Sequence, residues 1–338
     1  MKILYTLILM AAVAACGGQK KTAGSDTGSQ QSQETASIAP SPFSADSAYL
    51  NIQKQVDFGP RVPNMPSHRA CADFLAASLE RQGLQLHVQN IKVKAYDGAI
   101  LDARNIIGVH NPDAKRRILL FAHWDTRPMA DHDGDKSKRH QPIDGADDGG
   151  SGTGVLLEIA RLLKQYPMKN IGIDIALFDA EDYGAPEEAN YQGESTETWA
   201  LGTQKWTREP HVPGYHADFG ILLDMVGSKD ARFYREYFSQ ESAGRMVTQI
   251  WDTAKRLGYN KYFINEMGGA VTDDHYFVIR NLGIPCVDII NFDPDSRNGF
   301  GHYWHTHKDN MSIIDRETLK AVGETVWQVL LDYDNTVK

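Results

Sequence analysis

Two rhythms of apolar and polar positions run along residues 43–338. Residues 44–56 and 67–81 repeat at helical spacing, with Gly83 as a stop signal. Residues 84–96 alternate with period two, and 103–110 and 117–123 read as further strands. Over 153–166 the spacing predicts a helix, because Leu156, Leu157, Ile159, Ala160 and Leu163 share one face. There follow a strand at 171–178, a strand at 220–225, helices at 241–257 and 273–280, a strand at 285–291 and a closing helix at 315–334. No internal repeat interrupts the series. This β/α succession predicts a single α/β domain: an open, twisted, mixed but mostly parallel sheet flanked by helices. The early strands are expected to pair antiparallel at one edge. Three long polar stretches, 128–145, 184–197 and 207–217, follow predicted elements and are expected to rim a site.

The first 42 residues follow neither rhythm. Lys2 precedes an apolar stretch, Ile3 to Ala15, that is too short to span a membrane as a stable helix. It ends in Val13-Ala14-Ala15-Cys16, which resembles the lipobox of bacterial lipoproteins, where the cysteine is lipidated and becomes the new N-terminus. Residues 17–42 are rich in Gly, Ser, Gln and Thr and read as a flexible tether, spanning on the order of 30 Å. The expected organisation is therefore a lipoprotein-type signal at 1–16, a tether at 17–42 and a catalytic domain at 43–338. Acyl chains on Cys16, at ~0.8 kcal/mol per buried CH₂, would anchor the chain to a bacterial membrane. That predicts an exported protein with its catalytic body in the periplasm.

Composition then narrows the chemistry. A hydrophobic content of 41% in 338 residues supports a sizeable core. A formal net charge of −9 without a basic stripe excludes nucleic acid as the expected partner. With Cys16 assigned to lipid, Cys71 and Cys286 remain, and both fall in patterns that predict buried thiols rather than a disulfide. No CxxC or Cys/His cluster exists, so any metal site must be built from oxygen and imidazole donors.

Such donors exist at the ends of the apolar runs. The run 171–178 stops abruptly in Asp179-Ala180-Glu181-Asp182, at the C-terminal end of a strand, where ligands collect in α/β folds. Two adjacent acids are tolerated there if one binds a cation and the other handles a proton. His123, Asp148, Asp224 and His305 are each expected at the end of an apolar run of their own, and Gly145 to Gly152 lets the backbone pass close to a bound ion. Each alone reads as a cap or a salt-bridge partner. Five together, in a mixed His/Asp set, point to zinc.

At these residues the sequence resembles the M28 clan of zinc aminopeptidase-fold proteins, and within it the bacterial glutaminyl cyclases. Phe58-Gly59-Pro60-Arg61-Val62-Pro63, Ala122-His123-Trp124-Asp125, Gly145-Ala146-Asp147-Asp148, Phe178 to Asp182 and Leu223-Asp224-Met225-Val226-Gly227 match the clan in order. Thr272-Asp273-Asp274-His275 and Trp304-His305-Thr306, followed by Asp309-Asn310, look like the cyclase branch. The resemblance implies one zinc per chain on Asp148, Asp182 and His305, with Glu181 as acid/base and Asp224 and Asp273 as its carboxylate network. It implies Trp304 as a wall of the substrate pocket, and peptides and proteins with N-terminal glutamine as partners. His123 would serve a second metal or support the first. If two zincs bind, the same ligands suit an aminopeptidase, and a non-catalytic binding lipoprotein is the third expectation. Animal cyclases have glutamate where Asp182 stands, histidine at Asp288, and a disulfide whose place Ala122 occupies. Either Tyr191 or Trp199 would replace a family tryptophan after the acid pair.

Overall fold

The computed structural model describes residues 41–337, so the expectations for the signal segment, Cys16 and nearly all of the tether fall outside the described residues. Six strands form one sheet, in the order 85–94, 100–110, 172–178, 117–123, 219–224 and 286–290. Its centre is parallel: β4 (Gly172–Phe178), β3 (Arg117–His123), β5 (Phe219–Asp224) and β8 (Cys286–Ile290). At one edge β1 (Gln85–Lys94) and β2 (Ile100–His110) form an antiparallel hairpin, and β2 runs antiparallel to β4. The mixed sheet expected from the sequence is therefore present. β6 (Phe233–Arg235) and β7 (Phe263–Met267) make a separate parallel ribbon.

The strands read as unbroken apolar runs because both faces are covered. Alternate residues of β3 divide between two cores, Ile118, Leu120 and Ala122 on one face and Leu119 and Phe121 on the other. The first face packs against α1 (Ala45–Val56), α2 (Pro66–Arg81), α3 (Gly150–Gln165), α5 (Tyr237–Arg256) and α7 (Arg316–Thr336). The second packs against α4 (Leu201–Arg208) through Trp206 and α6 (Asp274–Leu282) through Val278. Cys71 lies in the first core and Cys286 in the second, so the sheet separates two free, buried thiols.

Three helices depart from the pattern read off the sequence. α4 rises inside a polar region because its buried face is mostly Gly202, Thr203, Gln204 and Thr207, with Trp206 the large apolar member. α5 starts four residues before the expected 241, since the Glu236 carboxylate caps it by accepting from Phe238 N (3.0 Å) and Ser239 N (2.7 Å). Asp273, expected as the first residue of a helix, is instead the N-cap of α6 and accepts from Asp274 N at 2.5 Å.

Chain order places the site. β3 leads through α3 to β4 on one side, and the chain then crosses to β5 on the other side of β3. Strand order reverses there, which opens a crevice at the carboxyl ends of β3, β4 and β5. α3 seats closely over it: a Cβ on Gly152 would lie 2.0 Å from the Leu223 carbonyl oxygen. Among the described residues, no helix is long and apolar enough to cross a membrane.

Candidate active site

The ends of three strands deliver four groups to the crevice. His123 closes β3, Asp224 closes β5, and Glu181 and Asp182 follow β4 after a turn at Asp179 and Ala180. Asp148 comes from the turn before α3 and His305 from the irregular segment after β8, so these two are loop residues rather than strand ends. Ala180, Met225 and His305 hold left-handed backbone at φ 53°, 47° and 53°, a conformation that costs non-glycine residues energy and concentrates at functional sites.

Asp148 is shared by two donor sets. Asp148, Asp182 and His305 bring one donor atom each within 4.8 Å of one another, and so do His123, Asp148 and Asp224. His305 Nε2 stands 3.1 Å from Asp182 Oδ1 and 3.7 Å from Asp148 Oδ2. His123 Nε2 lies 3.0 Å from Asp148 Oδ1 and 3.1 Å from Asp224 Oδ1. All five are buried, and Asp182 Oδ2 has no hydrogen-bond partner. Buried carboxylates converging on imidazole nitrogen, with an orphaned oxygen among them, fit a zinc ion bound by three side chains with one position open to the cavity.

Titration is displaced accordingly. Burial pushes Asp182 up to about 6 and Asp224 up to about 8, with neighbouring carboxylates adding to both. Glu181 rises well above the usual carboxylate range, first through burial and then through Asp273. Burial opposes charge on His123, yet Asp125, Asp148 and Asp224 together raise it well above an ordinary histidine.

Behind Asp273 the acids continue. Asp274 and Asp288 are buried with both carboxylate oxygens unpartnered, and both titrate well above the normal range because of burial and of Asp273. His275 lies between Glu236 Oε2 (3.1 Å) and Asp288 Oδ2 (3.6 Å). Glu236 is held near 2: the partners that lower it, His275 first, outweigh its burial.

These groups face a cavity of about 450 Å³ lined by Asp148, Glu181, Asp182, Asp224, Asp273 and His305 on its polar side. Trp199 and Trp304 stand on its apolar side. The Trp304 ring stacks on His305 at 3.5 Å and 20°, and Phe300 backs it at 4.6 Å. Trp199 answers the choice left open by the sequence, for Tyr191 is exposed and does not line this cavity.

Sequence reasoning brought together every proposed ligand and acid but missed their supports. Asp125 accepts from Glu181 N (3.0 Å) and Asp182 N (3.2 Å), fixing the acid pair. Asp309 accepts from Asp147 N (2.8 Å) and Asp148 N (3.1 Å). Buried Arg61 donates to Trp124 O, Asp144 O and Gly145 O, which ties the 58–63 turn to the glycine-rich loop. Arg127 and Asp131 stand behind His305. Asp125, Arg61 and Asp309 stand in motifs quoted from the sequence, though without a role there; nothing local marks Arg127 or Asp131.

Comparison with known proteins agrees with this geometry. The profile of peptidase family M28 matches residues 105–330. A solved Zn-dependent exopeptidase from Parabacteroides distasonis is 56% identical, with a TM-score of 0.84 over 86% of this chain and 99% of that one. Tannerella forsythia glutaminyl cyclase is 57% identical, with a TM-score of 0.82 over 85% of this chain and 98% of that one. Bovine glutaminyl-peptide cyclotransferase is 26% identical over 256 residues, which span 68% of this chain and just under two thirds, 66%, of the bovine protein.

Proposed function

The chain belongs to peptidase family M28, and on that premise we propose that it is a glutaminyl cyclase, converting N-terminal glutamine of peptides and proteins to pyroglutamate with release of ammonia. The observation that carries the reading is the constitution of the cavity. Glu181 lines one cavity with three candidate zinc ligands, with the buried acids Asp224 and Asp273, and with the indoles of Trp199 and Trp304. Identity of 57% to a glutaminyl cyclase across nearly its whole length supports it.

The ligands are Asp148, Asp182 and His305, for one zinc per chain. Bound there, zinc supplies a Lewis acid for the γ-carbonyl oxygen of the substrate. Glu181 takes a proton from the α-amine as its nitrogen attacks the γ-carbonyl carbon. It returns that proton to the side-chain nitrogen as the amide bond breaks and ammonia leaves. Burial beside Asp273 gives Glu181 the proton affinity this shuttle requires. Asp224 and Asp273 accept from the α-amine and share protons with Glu181. Trp304 and Trp199 flatten the cavity around a short side chain and keep out water that would hydrolyse the amide. Because cyclisation uses atoms of the first residue alone, the rest of the peptide points to the mouth and is tolerated broadly. Cys16 carries the lipid anchor, and residues 17–42 hold the catalytic domain off a bacterial membrane on its periplasmic side.

A second reading, zinc aminopeptidase, is favoured by one observation: His123, Asp148 and Asp224 form a further complete donor set sharing Asp148. A Gln-initiated peptide incubated with residues 43–338 separates the two by product mass. Loss of ammonia is expected; loss of the whole first residue, or release of leucine or alanine from other peptides, would overturn the cyclase reading. Elemental analysis is expected to give about one zinc per chain, and two tightly held zincs would favour the peptidase.

A further inference from the structure

Arg127 is completely buried four residues after His123, the last residue of β3. Its guanidinium meets three parts of the site at once. Nε and Nη2 grip Asp131 with a two-pronged fork, at 3.2 Å to Oδ1 and 2.7 Å to Oδ2. Nη1 donates to the backbone carbonyls of Asp182 (3.0 Å) and Gly184 (2.7 Å). The flat face lies over the Trp199 ring, 4.8 Å from its centroid.

Asp131 carries the contact onward. Its Oδ1 lies 3.2 Å from His305 Nδ1, the ring nitrogen facing away from Asp148 and Asp182. The contact is an ion-pair approach rather than a hydrogen bond, since His305 Nδ1 has no hydrogen-bond partner, yet a carboxylate at that ring edge favours the proton on Nδ1 and leaves the Nε2 lone pair toward the donor set. The same loop is pinned by His132 N donating to His305 O at 3.2 Å. One planar cation thus reaches two ligand-bearing segments, through Asp131 to His305 and directly to the backbone of Asp182, and also one wall of the cavity.

We propose that Arg127 and Asp131 are positioning residues that preset His305 and Asp182 for zinc and tie the Trp199 wall to the same frame. Lysine cannot replace Arg127 in this arrangement, because an ammonium has neither the fork for Asp131 nor a face for the indole. Asparagine at 131 keeps the shape of the carboxylate but no longer enforces the Nδ1–H tautomer of His305.

The test reads zinc affinity by chelator competition on purified, folded protein, with circular dichroism as the check of folding. Asp131→Asn is expected to bind zinc on the order of 10–100-fold more weakly than the parent. Arg127→Lys is expected to show a similar loss. With zinc at saturation, Asp131→Asn should keep its KM for a Gln-initiated peptide, whereas Arg127→Lys should show a raised KM because Trp199 loses its support. The affinity arm involves no turnover and stands apart from the cyclase reading; only the KM arm rests on it. If Arg127→Lys does not fold, Asp131→Asn alone decides. Parental zinc affinity in folded Asp131→Asn would overturn the proposal, and an unchanged KM in folded Arg127→Lys would overturn its coupling to the wall.

Discussion

Glu181 has a raised proton affinity and no ligand role in the Asp148–Asp182–His305 set, which makes it the position where charge and shape separate most cleanly. Glu181→Gln is expected to keep zinc and fold while turnover falls ~10²–10⁴-fold or more, the usual share of general acid–base catalysis. Turnover and zinc content of the variant check this, and near-parental turnover would remove Glu181 from the shuttle. Trp304 acts through packing. It is half-buried and its ring covers His305. Trp304→Ala is expected to lower kcat/KM by the equivalent of about 1–3 kcal/mol, as for a lost side chain that buries apolar surface. A Gln-Xaa peptide panel measures it, and an unchanged kcat/KM would take Trp304 out of the pocket wall. The residues proposed to bear the chemistry were legible because strong local signals surround them: apolar runs ending in acids, and glycines ahead of a helix. Asp131 was not, and Asp309 stood in a quoted motif without its role, since they act on partners 174 and 161 positions away along the chain that only the folded loops bring near.

Elements were readable to the extent that burial imposes a period. β3, β4 and β5 are buried along nearly their whole length, so they stand out as apolar runs and their ends fall within a residue of expectation. α4 was hidden because a helix that buries glycine, threonine and glutamine has no apolar stripe to read. The β6–β7 ribbon was hidden because strands of three and five residues, paired across a register shift, carry too little pattern. The contact of α3 with β5 is the most sensitive joint between elements. Gly152→Ala would press a methyl group against the Leu223 carbonyl beside Asp224, and the helix must move to admit it. A loss of ~1–3 kcal/mol is expected for such overpacking. Thermal unfolding together with zinc affinity checks it, and a parental melting temperature would show that α3 yields freely.

For the molecule as a whole, buried acids set how stability follows pH. Asp288 titrates well above an unfolded carboxyl, so its folded form retains a proton that the unfolded chain has released. The stability this contributes is fully present below ~3.9, the unfolded value, and is lost as pH rises toward the folded one. Asparagine has no proton to lose. The melting temperature of Asp288→Asn relative to the parent, both zinc-saturated, is therefore expected to rise from pH 4 to pH 8. A difference independent of pH would contradict the assignment. The sheet has a second consequence at this scale. Among the described residues β1 is an outer strand, and its open backbone edge offers hydrogen bonds to any other extended chain. Along it Lys92 and Lys94 alternate with Ile91 and Val93, and Lys92 is strongly exposed. Charge on that margin makes annealing with a second copy unfavourable, so many such molecules crowded on one surface would stay separate rather than knit into a continuous sheet.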